Sequence, residues 1–333
     1  YREWHTVDTG RLEELIKLAE TKPALKIYIP RVKRVDMNGE TPDIDAYTVG
    51  AWLGDGGSWH PTITSEDEGI LSNIRKVYDL VEGASQVEGS NAKTYYIVSK
   101  NKDSKHERND KGQFTSDEDS FENKLIKFGL HKRYGGEKHI PEAFFSAPYE
   151  VKMNLIRGLM DTDGYAHSGA FNTFCQTEGR LKDDFIRLLK SIGITPKISK
   201  YLTAEEANRR KAKYKSGLDV TARTTMYEIG FTCEDNPFSL ERKANKYKAP
   251  KLSNTYRIKS VAEVDKVLMR CLAVDSEDHL FAAGDTMIMT HNSVGGIRSA
   301  LDATSQRVLS ILRRLSEMFK DMARMTISMN QAY

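Results

Sequence analysis

Long hydrophobic runs are missing from this 333-residue chain: nothing approaches the roughly 20 consecutive apolar residues of a membrane span, so no membrane helix is expected. The opening residues Tyr1-Arg2-Glu3-Trp4-His5 also lack the apolar core of a secretory signal. Cysteine is scarce. Cys175, Cys233 and Cys271 are odd in number and far apart, which argues against a disulfide framework or a zinc knuckle and suits a reducing, cytoplasmic compartment. A dominant charge is absent too, since 50 Lys and Arg face 47 Asp and Glu and leave only +3. A uniformly polycationic protein is thereby excluded, but not a basic face hidden in the average. No Met precedes Tyr1 and the chain ends at Gln331-Ala332-Tyr333, so it reads as a piece of something longer. What is present suffices for sizeable cores: 39% apolar residues and 23 glycines. At roughly 100–200 residues per domain, the length predicts two or three domains.

The chain repeats itself. Thr48-Val49-Gly50-Ala51-Trp52-Leu53-Gly54-Asp55-Gly56 returns 108 residues later as Ile156-Arg157-Gly158-Leu159-Met160-Asp161-Thr162-Asp163-Gly164. A short strand-like run follows each copy, over 60–64 and 170–174, and then an amphipathic pattern. Ile70, Ile74, Val77, Tyr78 and Val81 match Leu181, Phe185, Leu188, Leu189 and Ile192, with the spacing of a helix core stripe in both copies. Two features in the same order make the middle of the chain a duplicated α/β unit. Gly50 and Gly54 share one helix face, as do Gly158 and Thr162, and small residues so spaced let two backbones approach closely. Gly56 and Gly164 suit the left-handed position just past a helix end. Asp55 and Asp163 then face the negative ends of their own helix dipoles and lie near each other if the helices pair. Carboxylates held together against that repulsion imply a cation, and hard oxygen ligands at a wet site suggest Mg²⁺.

These segments resemble the paired motifs of the LAGLIDADG homing endonucleases in their single-chain, two-repeat form. The resemblance implies two αββαββ halves joined at the motif helices, monomeric through the internal repeat, with curved sheets straddling double-stranded DNA. It implies that Asp55 and Asp163 bind divalent metal at the scissile phosphates. The first motif departs from the pattern at Trp52, Leu53 and Gly54: Leu53 replaces the inner acid that Asp161 retains. Lys138-His139-Ile140-Pro141 resembles the family's Lys-x-Ile-Pro segment, which carries a lysine that polarises water or stabilises charge. Repeat symmetry points to Lys243 or Lys246 in the second half, and Lys243 is preferred for its place in an Arg-Lys pair after Phe-x-Leu. Residues 197–259 hold 15 Lys and Arg against 7 Asp and Glu. Tyr201, Tyr214, Tyr227, Tyr247 and Tyr256 are interleaved with that charge, a composition suited to tracking phosphates and reading bases. The polar loop over 100–113 is its expected counterpart.

A second chemistry lies near the carboxyl end. Alternating apolar residues on either side of Gly284-Asp285 predict two strands and a tight turn, the second strand ending in His291-Asn292-Ser293. An Asn side chain can cyclise onto its own carbonyl and cut the chain after itself, with a neighbouring imidazole supplying protons and the next hydroxyl serving as a nucleophile. The whole stretch 271–293 resembles the last motif blocks of an intein. That resemblance makes Asn292 the final intein residue, His291 the penultimate histidine, His279 the assisting histidine and Ser293 the first extein residue. The intein's N-terminal splicing block is not recognisable before Tyr1, so the first acyl shift is not expected of this chain by itself. Cys271 with Thr290 resembles inteins in which an internal Cys starts the reaction through a branched thioester; the alternative is a residue before Tyr1.

The expected architecture is α+β: a duplicated αββαββ endonuclease inserted in an all-β Hint splicing domain, then a helical extein tail. Residues 1–42 would end the amino half of the Hint domain, 43–258 form the nuclease (repeats 43–145 and 146–258), 259–292 close the Hint fold, and 293–333 belong to the host protein. The expected partners are a double-stranded DNA site and the covalently attached exteins. The rival reading is a splicing domain whose decayed nuclease only binds DNA.

Overall fold

The computed structural model describes residues 4–5, 7–32, 34–37, 39–86, 91–100, 119–133, 136–211, 224–251, 255–265, 267–268, 272, 274–275, 277–284 and 287–291. In chain order the elements are α1 (Thr9–Thr21), β1 (Tyr28–Pro30), α2 (Ala46–Asp55), β2 (Thr62–Ser65), α3 (Glu68–Ile74), β3 (Tyr78–Gln86), β4 (Lys93–Ser99), α4 (Phe121–Lys127) and α5 (Ala143–Ser146). They continue as α6 (Tyr149–Thr162), β5 (Gly164–Ala166), β6 (Phe171–Thr177), α7 (Arg180–Ser191), β7 (Lys197–Leu202), α8 (Ala204–Lys211), β8 (Met226–Thr232), α9 (Glu241–Ala244), β9 (Thr255–Arg257), β10 (Leu280–Ala283) and β11 (Ile288–His291). Helix and sheet are mixed, and two compact units result, the larger built on residues 31–254.

In the larger unit the two motif segments are helices α2 and α6, packed on each other at its centre. Asp45 caps α2, accepting from the Thr48 amide at 2.8 Å and its hydroxyl at 2.7 Å. Tyr149, at the start of α6, donates its amide to Asp36 at 2.8 Å, so that helix borrows its cap from a distant residue. Val49, Ala51, Trp52 and Leu53 on one helix and Leu155, Ile156, Leu159 and Met160 on the other are all buried in one core. A helix buried nearly all round needs no polar face, which is why α2 reads as an apolar run.

Each motif helix feeds an antiparallel sheet. The second has the order β5-β6-β8-β7, and the first has β2-β4-β3. Gly56 bridges Ile63 and so occupies in the first sheet the position that β5 holds in the second. The two orders then coincide, as the duplicated αββαββ reading requires. Two expectations fail locally. In the second copy Leu181, Phe185, Leu188, Leu189 and Ile192 are all buried along or just after α7, as predicted. In the first copy α3 ends at Ile74, and Tyr78 opens strand β3. Val77, Tyr78, Leu80 and Val81 are apolar on both sides of a strand, and the sheet takes them: Tyr78 points into the core while Val77 and Val81 are exposed. Gly56 and Gly164 are not left-handed either. Gly56 has φ −81°, and Gly164 lies in a strand. A Cβ on Gly56 would strike the Trp52 carbonyl and ring, and one on Gly164 would sit 2.5 Å from the Met160 carbonyl, so space demands these glycines.

The segment that ends each half packs on the other half. Asp184 of α7 accepts from the Ile140 amide at 3.0 Å, and Arg187 pairs with Glu142. Reciprocally, Arg242 of α9 donates to Asp67, the α3 cap, at 2.9 Å, and a Cβ on Gly69 would press into Leu240.

The smaller unit contains helix α1, capped by Asp8, and two two-stranded antiparallel sheets, β1-β9 and β10-β11. Its described residues are therefore not all-β: Leu12, Leu15 and Ile16 have helical spacing behind a good cap. Strand β1 precedes the larger unit and β9 follows it, yet Ile29 pairs with Tyr256, so the flanks are joined to each other. The division falls at 30/31 and 254/255 rather than at 42/43 and 258/259. Residues 31–42 are held to the larger unit: Val35 donates to Ile192, Asp36 accepts from Tyr149, and Arg34 pairs with Glu150.

Candidate active site

The helix crossing is set by glycine. A Cβ on Gly50 would collide with the Leu155 carbonyl and lie 3.1 Å from Gly158 Cα; one on Gly158 would collide with the Tyr47 carbonyl and lie 2.9 Å from Gly50 Cα. A Cβ on Gly54 would instead strike the Thr162 side chain. The backbones therefore touch along the face that the small residues mark, and the helices deliver Asp55 and Asp163 to neighbouring positions. Burial raises the pKa of both carboxyls. Burial first, and then the Asp55 charge beside it, push Asp163 up to about 6. Neither carboxylate accepts a hydrogen bond from the described residues.

Lys138 and Lys243 are both buried here. Lys138 Nζ donates to the carbonyls of Trp52 (3.1 Å), Leu53 (3.2 Å) and Gly56 (2.8 Å). Lys243 Nζ donates to those of Met160 (2.8 Å), Asp161 (2.7 Å), Thr162 (3.2 Å) and Gly164 (2.7 Å). Trp52, Leu53 and Gly56 correspond to Met160, Asp161 and Gly164, so each lysine gathers the same carbonyls at and just past the end of its own motif helix. An ammonium has three N–H groups, and these are engaged. The lysines thus place positive charge beside the acids while fixing the helix ends. Desolvation lowers both to about 8, although the neighbouring carboxylates pull the other way. Lys243 is the residue that repeats Lys138; Lys246 instead lies 6.0 Å from the Tyr165 ring centre.

Asp161 has a different task. It is buried and accepts from Tyr47 Oη (2.8 Å), the Ser239 amide (3.0 Å) and the Leu240 amide (3.1 Å). It thereby ties α2 and the start of α9 to α6, while Leu53 fills the equivalent place with hydrocarbon. The sequence marked Asp161 as a retained acid but gave no sign of these partners, which lie 78 to 114 residues away.

The described tyrosines of the basic stretch either meet close neighbours within the larger unit or belong to the smaller one. Tyr247 donates to the carbonyls of Cys233 and Glu234, Tyr227 lies under Lys182, and Tyr256 belongs to β9 of the smaller unit. Tyr214 and residues 101–113 lie outside the described residues. In the smaller unit Leu280 pairs with His291, which brings the His279 and His291 rings to 6.1 Å between centres, nearly perpendicular. Cys271, Asn292, Ser293 and the expected helical tail over 293–333 lie outside the described residues.

Among the described residues no helix is long and apolar enough to cross a membrane. Over 259 residues the chain is 27% identical to the replicative DNA helicase DnaB of Mycobacterium intracellulare, an alignment that covers 76% of this chain and 36% of that relative. The chain thus spans little more than a third of the length of the curated relative it matches. Residues 150–224, from motif helix α6 through α8, match the family of LAGLIDADG-like domains, so the second copy of the repeat carries a domain of that kind.

Proposed function

We propose that the larger unit is a site-specific double-strand DNA endonuclease in which Asp55 and Asp163 hold Mg²⁺ at the scissile phosphates. The observation that carries this reading is the pair of carboxylates on touching helix ends, repeated by sequence, raised in pKa and given no donor among the described residues. The donor set fits a hard divalent cation, because Mg²⁺ is commonly held by one or two carboxylates with water and phosphate oxygens completing the shell. Among the described residues there is no group of three or more His, Cys, Asp or Glu to form a closed cage, which also suits a site shared with substrate. When bound, the metal supplies an activated water and stabilises the leaving oxygen. The chain's own groups position and neutralise. Asp55 and Asp163 offer ligand oxygens, and Lys138 and Lys243 offset their charge and lock the helix ends against the phosphate's approach.

The test is cleavage of a randomised duplex library by the parent, Asp55→Asn and Asp163→Asn chains with Mg²⁺. Loss of cutting by either variant, with unchanged circular dichroism, is expected. Full cutting by either removes the catalytic assignment, and binding without cutting by the parent selects the decayed-nuclease alternative.

For the smaller unit we infer C-terminal protein-splicing chemistry. The Asn292 side-chain nitrogen attacks its own carbonyl carbon, the peptide bond to Ser293 breaks and a succinimide closes; the released amine takes a proton from His291, and the proton lost by the attacking nitrogen replaces it. The pairing of the flanking strands and the juxtaposition of His279 with His291 support it. Cys271 or a residue before Tyr1 would start the full reaction. The likeness to a replicative helicase extends over more residues than 293–333 contains, and supports reading the chain as part of an interrupted helicase gene. Mass spectrometry of the parent and Asn292→Ala chains tests the step: cleavage after residue 292 in the variant as in the parent would refute it.

A further inference from the structure

The two motif helices are anchored differently at their starts. Helix α2 is capped by the residue just before it, Asp45. Helix α6 follows Pro148, which makes no side-chain cap, and the Tyr149 amide is closed instead by Asp36, 113 residues earlier in the chain. The segment that carries Asp36 is seated on this helix end at several points. The Arg34 guanidinium lies 3.9 Å from the Tyr149 ring centre and pairs with Glu150 at 3.1 Å. Val35 donates to the Ile192 carbonyl at 3.4 Å, and a Cβ on Gly39 would collide with the Ser146 carbonyl. Within the first turn of the same helix stands Lys152, which the repeat offset matches to Ile44 in the first copy. The Lys152 side chain is fully buried, and its Nζ has no hydrogen-bond partner among the described residues. Burial lowers its pKa, and the opposing pull comes from the Asp36 carboxylate. A buried ammonium is tolerated only where an opposite charge faces it, and Asp36 is that charge.

A shift at Tyr149 is felt at Asp163. Helix α6 has 14 residues, about 21 Å at 1.5 Å per residue, and no proline inside it to kink it. Its contact with α2 at Gly158 is backbone on backbone and acts as a fulcrum, with Tyr149 nine residues before it and Asp163 five residues after. A displacement of about 1 Å at the start of the helix thus becomes about 0.5 Å at Asp163, which is the tolerance within which a reacting constellation must be held. On the reading of the larger unit as a Mg²⁺-dependent endonuclease, we propose that Asp36 is a positioning residue for that reaction. Through the Tyr149 amide and Lys152 it sets the tilt of α6, and with it the placing of the Asp163 carboxylate. Residues 31–39, which lead on directly from strand β1, therefore belong to the nuclease machinery, and whatever displaces them detunes cutting.

The test compares the whole parent chain with Asp36→Ala, Asp36→Asn, Lys152→Met and the double variant Asp36→Asn, Lys152→Met, on a duplex that the parent cuts. A misplacement of about 1 Å costs about a hundredfold in rate, so half of it should slow Asp36→Ala about tenfold at saturating Mg²⁺. The Mg²⁺ concentration giving half of the metal-induced rise in melting temperature, read without DNA, should increase by a similar factor. Duplex binding without divalent cation should match the parent's. Asp36→Asn keeps an acceptor for the Tyr149 amide but removes the charge facing Lys152, so it should fall between the parent and Asp36→Ala. Once Lys152 is Met, that charge has nothing to offset, and the double variant should cut at the rate of Lys152→Met alone. An unchanged rate and Mg²⁺ midpoint in Asp36→Ala overturns the proposal and leaves the nuclease reading standing. So does a loss of cutting that only follows the folded fraction while the midpoint holds, because that is the mark of a merely stabilising cap. If Asp36→Ala does not fold, the Asp36→Asn series makes the same comparison, and failure of Lys152→Met to rescue it overturns the proposal. A parent that cuts no duplex overturns both readings.

Discussion

The contact between Gly50 and Gly158 gives the most exacting stability prediction. Gly158→Ala adds one methyl group where the nearest atoms are the Tyr47 carbonyl, the Ala51 amide nitrogen at 2.6 Å and Gly50 Cα at 2.9 Å. All three are backbone on a helix that is itself buried, so no side chain can rotate away. Overpacking of this kind costs about 3 kcal/mol, near the top of its usual range. The new alanine recovers about 1 kcal/mol of helix propensity, leaving a net loss of about 2 kcal/mol. For a unit of this size that is a fall of about 4–8 °C in melting temperature. Pushing the helices apart also separates Asp55 from Asp163, so cleavage should fall more steeply than stability. Gly136→Ala is the control, because a Cβ there meets nothing within 4 Å. Calorimetry and a plasmid-cutting assay on the three chains suffice. If Gly158→Ala melts with the parent and cuts as well, backbone contact does not define this interface.

Three further outcomes are expected. Asp161→Leu, which copies Leu53 into the second repeat, strands the Tyr47 hydroxyl and two amides and should cost about 3 kcal/mol in denaturant unfolding; no change would return Asp161 to the surface. The stability Asp163 contributes at low pH is lost as pH rises through its folded value of about 6, above the ordinary 3.8. Without metal at pH 7.5, Asp163→Asn should therefore gain about 1–3 kcal/mol while losing any Mg²⁺-induced rise in melting temperature. A parent that Mg²⁺ does not stabilise would count against the metal assignment. Finally, Lys138 and Lys243 titrate at about 8 when folded against 10.5 when free, so the folded chain binds fewer protons between those values. Urea midpoints should climb from pH 8 to 10.5 in the parent and more shallowly in Lys138→Met. Parallel profiles would show that the buried ammonium is not linked to folding.

The duplication, the helix interface and the paired acids were legible in the sequence because each is a local pattern of residue type and spacing. Lys243 was legible once the symmetry was accepted, since the carbonyls it closes repeat with the motif. The strand beginning at Tyr78 was not. A short run apolar at Val77, Tyr78, Leu80 and Val81 has no strand alternation to set against the helix stripe, and only the company of β4 makes it a strand. Gly56 and Gly164 look like turn glycines by sequence because backbone freedom is the commonest use of glycine; that the Trp52 ring and the Met160 carbonyl claim the space is a tertiary fact. The partners of Asp161, and the pairs Glu142–Arg187 and Asp67–Arg242, involve positions far apart in sequence, and no spacing rule reaches them.

The exchange of closing segments between the halves bears on how the chain is made. Asp67 is synthesised 175 residues before Arg242, and Ile140 leaves the ribosome before the Asp184 that accepts from its amide. The first repeat thus emerges with its own seal unplaced and its partner's seal unmade, and long-range closures of this kind slow folding. A nascent first repeat should stay sensitive to protease until α9 has cleared the exit tunnel, and the two halves should then close in a single late event. Although the repeat invites division into two separately expressed halves, each half lacks the strap that the other supplies, and only co-expression would restore the folded unit.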